Sequence, residues 1–124
     1  MVAVILIVED ETLIRKCAAL MIEDWGHKTY SAGDVDEALI VLRGPQHIDA
    51  LFTDIRLKTA VHGGYEVARR AVELRPGLRV LYTGGDFVSD AIRTLFVQGA
   101  HFLPKPYTEA KLLRSVGELL ATAP

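Results

Sequence analysis

Hydrophobic and polar positions alternate between two rhythms along this chain of 124 residues. Short continuous apolar runs cover Val2–Val8, Ile48–Thr53, Leu78–Tyr82 and Ala100–Leu103. Runs of that length bounded by polar residues read as strands buried on both faces. A weaker strand, His27–Tyr30, fits between the first two helical stretches. Between the strands, apolar residues recur at helical spacing. Leu13, Cys17, Leu20 and Met21 form one stripe, and Val35, Ala38, Leu39 and Leu42 a second. Val67, Ala71 and Leu74 form a third, and Val88, Ile92, Leu95 and Phe96 a fourth. Leu112, Leu113, Val116, Leu119 and Leu120 form the last.

Turn residues punctuate this pattern. Gly26, Gly44 and Gly99 each follow a periodic run, where a left-handed helix C-cap is expected. Pro76-Gly77 stops the third helix. Asp34 with Glu37 has the spacing of a capping box, and Thr108 is placed to cap the last helix. The order is a strand followed by a helix, five times over. Such alternation predicts an α/β domain with a parallel sheet and helices on both faces. No linker, low-complexity segment or repeat interrupts it, so residues 1–124 are expected to form a single domain. Carboxylates break the apolar N-terminal run after Val8, so it reads as a strand and not as a signal or a membrane span.

Composition narrows the function classes. A formal net charge of −2 gives no electrostatic case for nucleic acid. Cys17 is the only cysteine, which excludes a disulfide within the chain and disfavours a thiolate metal site. Its place on an apolar stripe predicts a buried, inert thiol. His27, His47, His62 and His101 share no metal-ligand spacing and read as surface or loop residues. Trp25, Tyr65 and Tyr107 read as packing residues with exposed polar tips. A soluble cytoplasmic protein is expected.

The chemistry lies at the strand ends. Each of the four clear apolar runs ends in a polar group: Glu9-Asp10, Asp54, Thr83, and, one proline later, Lys105. In an open α/β sheet, ligands bind outside the carboxyl ends of the strands. Three carboxylates, a hydroxyl and an ammonium would therefore meet at one edge. Adjacent carboxylates favour a cation, and oxygen ligands suit Mg²⁺. A carboxylate directly after a strand sits where a nucleophile or a metal ligand would, and as a nucleophile it can form an aspartyl-phosphate. Thr83 precedes Gly84-Gly85, where backbone without side chains lets a phosphate approach. Lys105 stands between Pro104 and Pro106; the prolines restrict the backbone that aims it, and an X-Pro bond tolerates cis geometry. Taken singly, each residue has a plainer alternative: a helix cap at Asp10 or Thr12, a loop acid at Asp54, a glycine turn after Thr83, a surface lysine.

The joint order of these residues resembles the response-regulator receiver domains of two-component signalling, the CheY-like family. The resemblance runs from Ile5-Leu6-Ile7-Val8-Glu9-Asp10-Glu11 through Gly99-Ala100 and Phe102-Leu103-Pro104-Lys105-Pro106-Tyr107 to the final helix. It implies a flavodoxin-like (βα)5 fold with strand order 2-1-3-4-5. It implies Asp54 as phosphoacceptor, Asp10 as a direct Mg²⁺ ligand and Asp54 as a further ligand of the same ion. Glu9 would act on the metal through water, and Arg56 would give it a backbone carbonyl. Thr83 and Lys105 would hold the phosphoryl oxygens, and Thr83 with Phe102 would form the switch. The implied partner is a histidine kinase or phosphotransfer protein. The implied output surface is the face made by the fourth helix, fifth strand and fifth helix, which also leaves room for a homodimer. Activity beyond self-phosphorylation and slow autodephosphorylation is not expected. Phe102 lacks the hydroxyl with which a tyrosine would hold an outward pose, so its ring is expected to favour the buried position.

The chain departs from the family after Asp54. Lys58 stands where the family usually has a proline. If Gly64-Tyr65-Glu66 matches the family's Gly-x-acid, the loop is also longer than usual. Arg56 and Gly85 occupy variable positions beside the acceptor. The rival readings are a pseudo-receiver, unphosphorylated and used for docking or dimerisation, and a flavodoxin-like cofactor binder or small phosphatase. The last is disfavoured because Glu9-Asp10-Glu11 would repel a phosphate anion and no Gly-x-Gly-x-x-Gly or Walker lysine is present.

Overall fold

A computed structural model describes residues 2–85 and 90–122. The order is β1 (Val4–Val8), α1 (Thr12–Asp24), β2 (Lys28–Ala32), α2 (Val35–Arg43), β3 (Ala50–Asp54), α3 (Gly63–Leu74), β4 (Arg79–Gly84), α4 (Asp90–Arg93), β5 (His101–Pro104) and α5 (Glu109–Ala121). All strand pairs are parallel, in the order β2-β1-β3-β4-β5. The chain thus steps outward on one side of β1 and then on the other. The crevice created by this reversal lies at the ends of β1 and β3.

The two-residue strand period divides the core. Leu6, Val8, Leu51, Val80 and Tyr82 pack against Ala38, Leu39 and Leu42 of α2 and Val67, Ala68 and Ala71 of α3. Ile5, Ile7, Phe52 and Leu81 face the other way, against Ala18 and Ile22 of α1 and Leu112, Val116 and Leu119 of α5. Burial on both faces is why β1 and β3 read as unbroken apolar runs.

Three local expectations change. On α1 the buried stripe is Ala18 and Ile22, one step around from the expected stripe, so Leu13 and Leu20 are 75% and 66% exposed. Cys17 is exposed as well. Nearly every position from Leu13 to Ile22 except Arg15 and Lys16 is apolar, so periodicity alone does not select the face. Packing against the sheet selects the face that carries Ala18 and Ile22. Gly44 ends α2 in extended backbone at φ −78°, not in the left-handed region, whereas Gly26 and Gly99 do adopt positive φ. Among the described residues the fourth periodic stretch yields only a short α4. Its Val88 lies outside the described residues. After Arg93 the chain tightens, with Leu95 N–H donating to Ile92 O and Phe96 N–H to Arg93 O. The Val97 N–H then donates to the buried Tyr82 hydroxyl at 3.1 Å and no longer serves a helix.

The caps are close to expectation. Asp34 accepts from the Glu37 N–H at 2.8 Å, but the Glu37 carboxylate reaches back to the N–H of Gly33 instead of Asp34. Thr108 caps α5 by accepting from the Lys111 N–H. His27 has a structural task, its Nδ1 accepting from the Ala3 N–H at 3.0 Å. Among the described residues no helix is long and apolar enough to cross a membrane.

Candidate functional site

The carboxyl ends of β1, β3 and β4 and the segment after β5 converge on one crevice. Glu9 follows β1, its N–H donating to Ala32 O of β2 at 3.1 Å. The Arg15 guanidinium, one turn into α1, donates to the Glu9 carbonyl at 2.6 Å. Asp54 is the last residue of β3 and pairs in register with Thr83 on β4. The next N–H, of Ile55, donates to Thr83 O. Lys105 follows β5, its N–H donating to Gly84 O at 2.9 Å, and the Lys105–Pro106 peptide is cis.

The side chains meet as expected from the strand-end pattern. Lys105 Nζ donates to Glu9 Oε1 at 2.7 Å and to Asp54 Oδ2 at 2.9 Å. Glu9 and Asp54 are buried, 4% and 7% exposed, while Asp10 is half-buried. Oxygen atoms of Glu9, Asp10 and Asp54 lie within 4.8 Å of one another. Burial pushes the Glu9 carboxyl above the ordinary carboxylate value, against the bonds from Lys105 and the Glu11 N–H. Burial acts to lower Lys105, but the bonds to Glu9 and Asp54 outweigh it and hold the ammonium above its ordinary range. The three acids Glu9, Asp10 and Asp54 outnumber the one ammonium bonded among them, which favours a cation beside them.

Thr83 is brought to the site but its hydroxyl is engaged, donating to Leu103 O at 2.7 Å. Phe102 is half-buried, its ring 6.1 Å from that of Phe96. Phe96 in turn packs on Tyr82 with ring centroids 4.4 Å apart. A groove of about 500 Å³ opens beside Asp54 and Lys105, running past Arg56 and Val61 to Ile92 and Leu95.

The loop after Asp54 is ordered by a device the sequence did not disclose. Leu57 and Ala60 exchange backbone hydrogen bonds across a tight turn, and Leu57 is buried at 1% exposure. The Lys58 N–H, at the turn's tip, donates to Asp10 Oδ2 at 2.5 Å. Behind the turn α3 begins against the strand end, with the Gly64 N–H donating to Ile55 O. A Cβ on Gly64 would lie 2.1 Å from Asp54 O and 2.7 Å from Ile55 Cα, so only glycine fits. The conspicuous sequence signal for this packing was the Gly63-Gly64 pair. The Lys58 contact left none, because a backbone donor has no residue type.

Comparison with known proteins gives a consistent picture. The family model described as response regulator receiver domain matches residues 5–117. A response regulator receiver protein from Sinorhizobium medicae WSM419 is 28% identical, over 96% of this chain and 94% of that one, with a TM-score of 0.85. A CheY-like receiver domain protein from Methanospirillum hungatei JF-1 is 25% identical, over 97% and 94%, with a TM-score of 0.84. NtrX from Brucella abortus, solved in complex with ATP, is 29% identical with a TM-score of 0.85; the match takes in 97% of this chain but 27% of NtrX.

Proposed function

Because the chain belongs to the response regulator receiver family, we propose that it is a phosphoacceptor switch that takes a phosphoryl group on Asp54. The donor would be a histidine kinase or a histidine phosphotransfer protein in the cytoplasm, with a small phosphodonor able to substitute. The observation that carries this reading is the convergence of Asp54, Glu9, Asp10 and Lys105 at the strand ends, with an open groove over Asp54.

The chemistry is a displacement at phosphorus. An Asp54 carboxylate oxygen attacks, the new O–P bond forms, and the bond from phosphorus to the donor nitrogen or oxygen breaks. The donor leaves with that electron pair. Lys105 holds Asp54 in place before transfer and then faces the phosphoryl oxygens as a point charge. The donor set suits Mg²⁺: hard oxygen ligands, one or two carboxylates, and room for water. Asp10 and Asp54 would hold the ion directly, Glu9 through water and Arg56 through its carbonyl. When bound, Mg²⁺ offsets the carboxylate charge and shields the incoming phosphoryl group.

Thr83 supplies the switch. Its hydroxyl exchanges the Leu103 carbonyl for a phosphoryl oxygen. A modification shifts a conformational equilibrium only through such a differential contact. Phe102 already packs on Phe96, so little movement is needed to bury it fully. The changed surface would be that of α4, β5 and α5.

Incubation with acetyl phosphate and Mg²⁺, followed by intact mass, tests this. Wild-type protein should gain one phosphoryl group, and Asp54→Asn or excess chelator should prevent it. An adduct that persists in Asp54→Asn refutes the acceptor assignment. No adduct in wild type, from either acetyl phosphate or a phosphorylated histidine donor, points instead to a docking module.

A further inference from the structure

The turn at residues 57–60 is built so that one backbone group meets a carboxylate of the acidic cluster. Lys58 N–H donates to Asp10 Oδ2 at 2.5 Å, across an interval of 48 residues. The lysine side chain is a poor candidate for the same task. Its Nζ stands 3.7 Å from Glu11 Oε1 with both side chains largely exposed, and such surface pairs contribute little.

The turn is closed and anchored on either side of Lys58. Leu57 N–H donates to Ala60 O and Ala60 N–H to Leu57 O, closing the turn. The Leu57 side chain fills the space in front of α3, where a Cβ on Gly63 would lie 2.8 Å from Leu57 Cδ1. The donor is therefore aimed by packing, not carried on a free loop. Asp10 is the one member of the acidic cluster that is not fully buried. Glu9 and Asp54 are pinned by Lys105, whereas Asp10 is held by the Lys58 N–H. Repulsion from two neighbouring carboxylates would otherwise turn Asp10 out toward solvent.

We propose that the Lys58 N–H is a positioning donor for the cation site: it holds the Asp10 carboxylate in ligating pose before Mg²⁺ arrives, and so ties the 57–60 turn to the bound ion. This rests on the reading of Asp10 and Asp54 as Mg²⁺ ligands. An ionised carboxylate offers about four lone-pair sites, and one N–H leaves the rest for a metal. A bond from a neutral N–H to a charged carboxylate is stronger than a neutral pair. Outer partners that orient metal ligands typically change metal affinity by about 10- to 100-fold when removed. Lys58 is where a proline would delete the donor.

Two substitutions isolate the N–H. Lys58→Ala removes the side chain and keeps the donor; Lys58→Pro removes both. Mg²⁺ dissociation constants from calorimetry should be at least about tenfold weaker in the proline variant than in the alanine variant. Equal constants in the two overturn the proposal. A spectroscopic signature decides the matter if the proline variant does not fold. In metal-free wild type the residue 58 amide proton should resonate downfield, and Asp10→Ala should move it upfield. An amide shift indifferent to Asp10→Ala overturns the proposal. Wild-type protein that takes up no Mg²⁺ overturns both this inference and the metal reading, whereas Mg²⁺ uptake with equal alanine and proline constants overturns the inference alone.

Discussion

Asp54 and Lys105 are joined at 2.9 Å although the strands that present them never touch, since β4 lies between β3 and β5. The lysine reaches past β4 to the acid, and it holds Glu9 at 2.7 Å with the same ammonium. One side chain therefore clamps the ends of β1 and β3 from beyond the strand that separates them from it.

Removing that clamp should loosen the metal-free protein. Lys105→Ala leaves two buried carboxylates without their cation, and bonds to charged groups are worth about 1.5–3 kcal/mol. Urea unfolding in chelator should show a loss of that order. Excess Mg²⁺ should recover part of it, and a midpoint unchanged by the substitution would show the pair to be energetically idle.

Mg²⁺ should stabilise the wild-type protein by mass action. At ten times its dissociation constant, a ligand that binds only the folded state adds about 1.4 kcal/mol. Thermal unfolding should move upward with Mg²⁺ concentration, and Asp10→Ala should erase most of the rise. An equal rise in the variant places the ion elsewhere.

Gly64→Ala should be among the most disruptive single-methyl changes in the chain. The new Cβ would meet Asp54 O at 2.1 Å, backbone that has no flexible end to yield. Overpacking of this kind costs about 1–3 kcal/mol and displaces the strand end. Phosphoryl uptake should fall with it. Gly85→Ala, whose Cβ meets nothing within 4 Å among the described residues, is the control and should stay within about 0.5 kcal/mol of wild type.

Tyr82→Phe should remove the acceptor for the Val97 N–H and cost about 1 kcal/mol. The substitution should also change behaviour at high pH. Burial raises the Tyr82 phenol above its ordinary 10.0, against the Val97 N–H. The folded protein then keeps a proton that the unfolded chain releases, so stability falls as pH rises past 10.0. Lys105, also raised, contributes a loss in the same alkaline direction. The Tyr82 share should vanish in Tyr82→Phe, read as a shallower decline in unfolding free energy above that pH.

Much of this architecture was legible because its signals are carried by residue types. The runs around Leu6, Leu51 and Leu81 announced buried strands, and polar residues at their ends announced the crevice. Glu9, Asp10, Asp54 and Lys105 do meet there. Legibility failed where neighbouring choices were chemically alike. On α1, Cys17 and Ala18 are both small and apolar, and only packing decides which goes inside. The bond from the Thr83 hydroxyl to a carbonyl in its own sheet left no sequence signal. Legibility failed again at Lys58 and Val97, where the acting group is a backbone N–H common to almost every residue. The end of α4 depends on a tyrosine hydroxyl from another strand, which no local pattern encodes.

The clamp by Lys105 also has a meaning in time. A ribosome releases Glu9, Asp10 and Asp54 well before the lysine that compensates them. Until β5 takes its place beside β4, the emerging chain carries clustered carboxylates with no ammonium among them. Such late, distant pairings slow folding, because chain closure precedes the contacts that reward it. They also make the crevice a late property: a half-made molecule holds the acids but not the ammonium that joins Glu9 to Asp54.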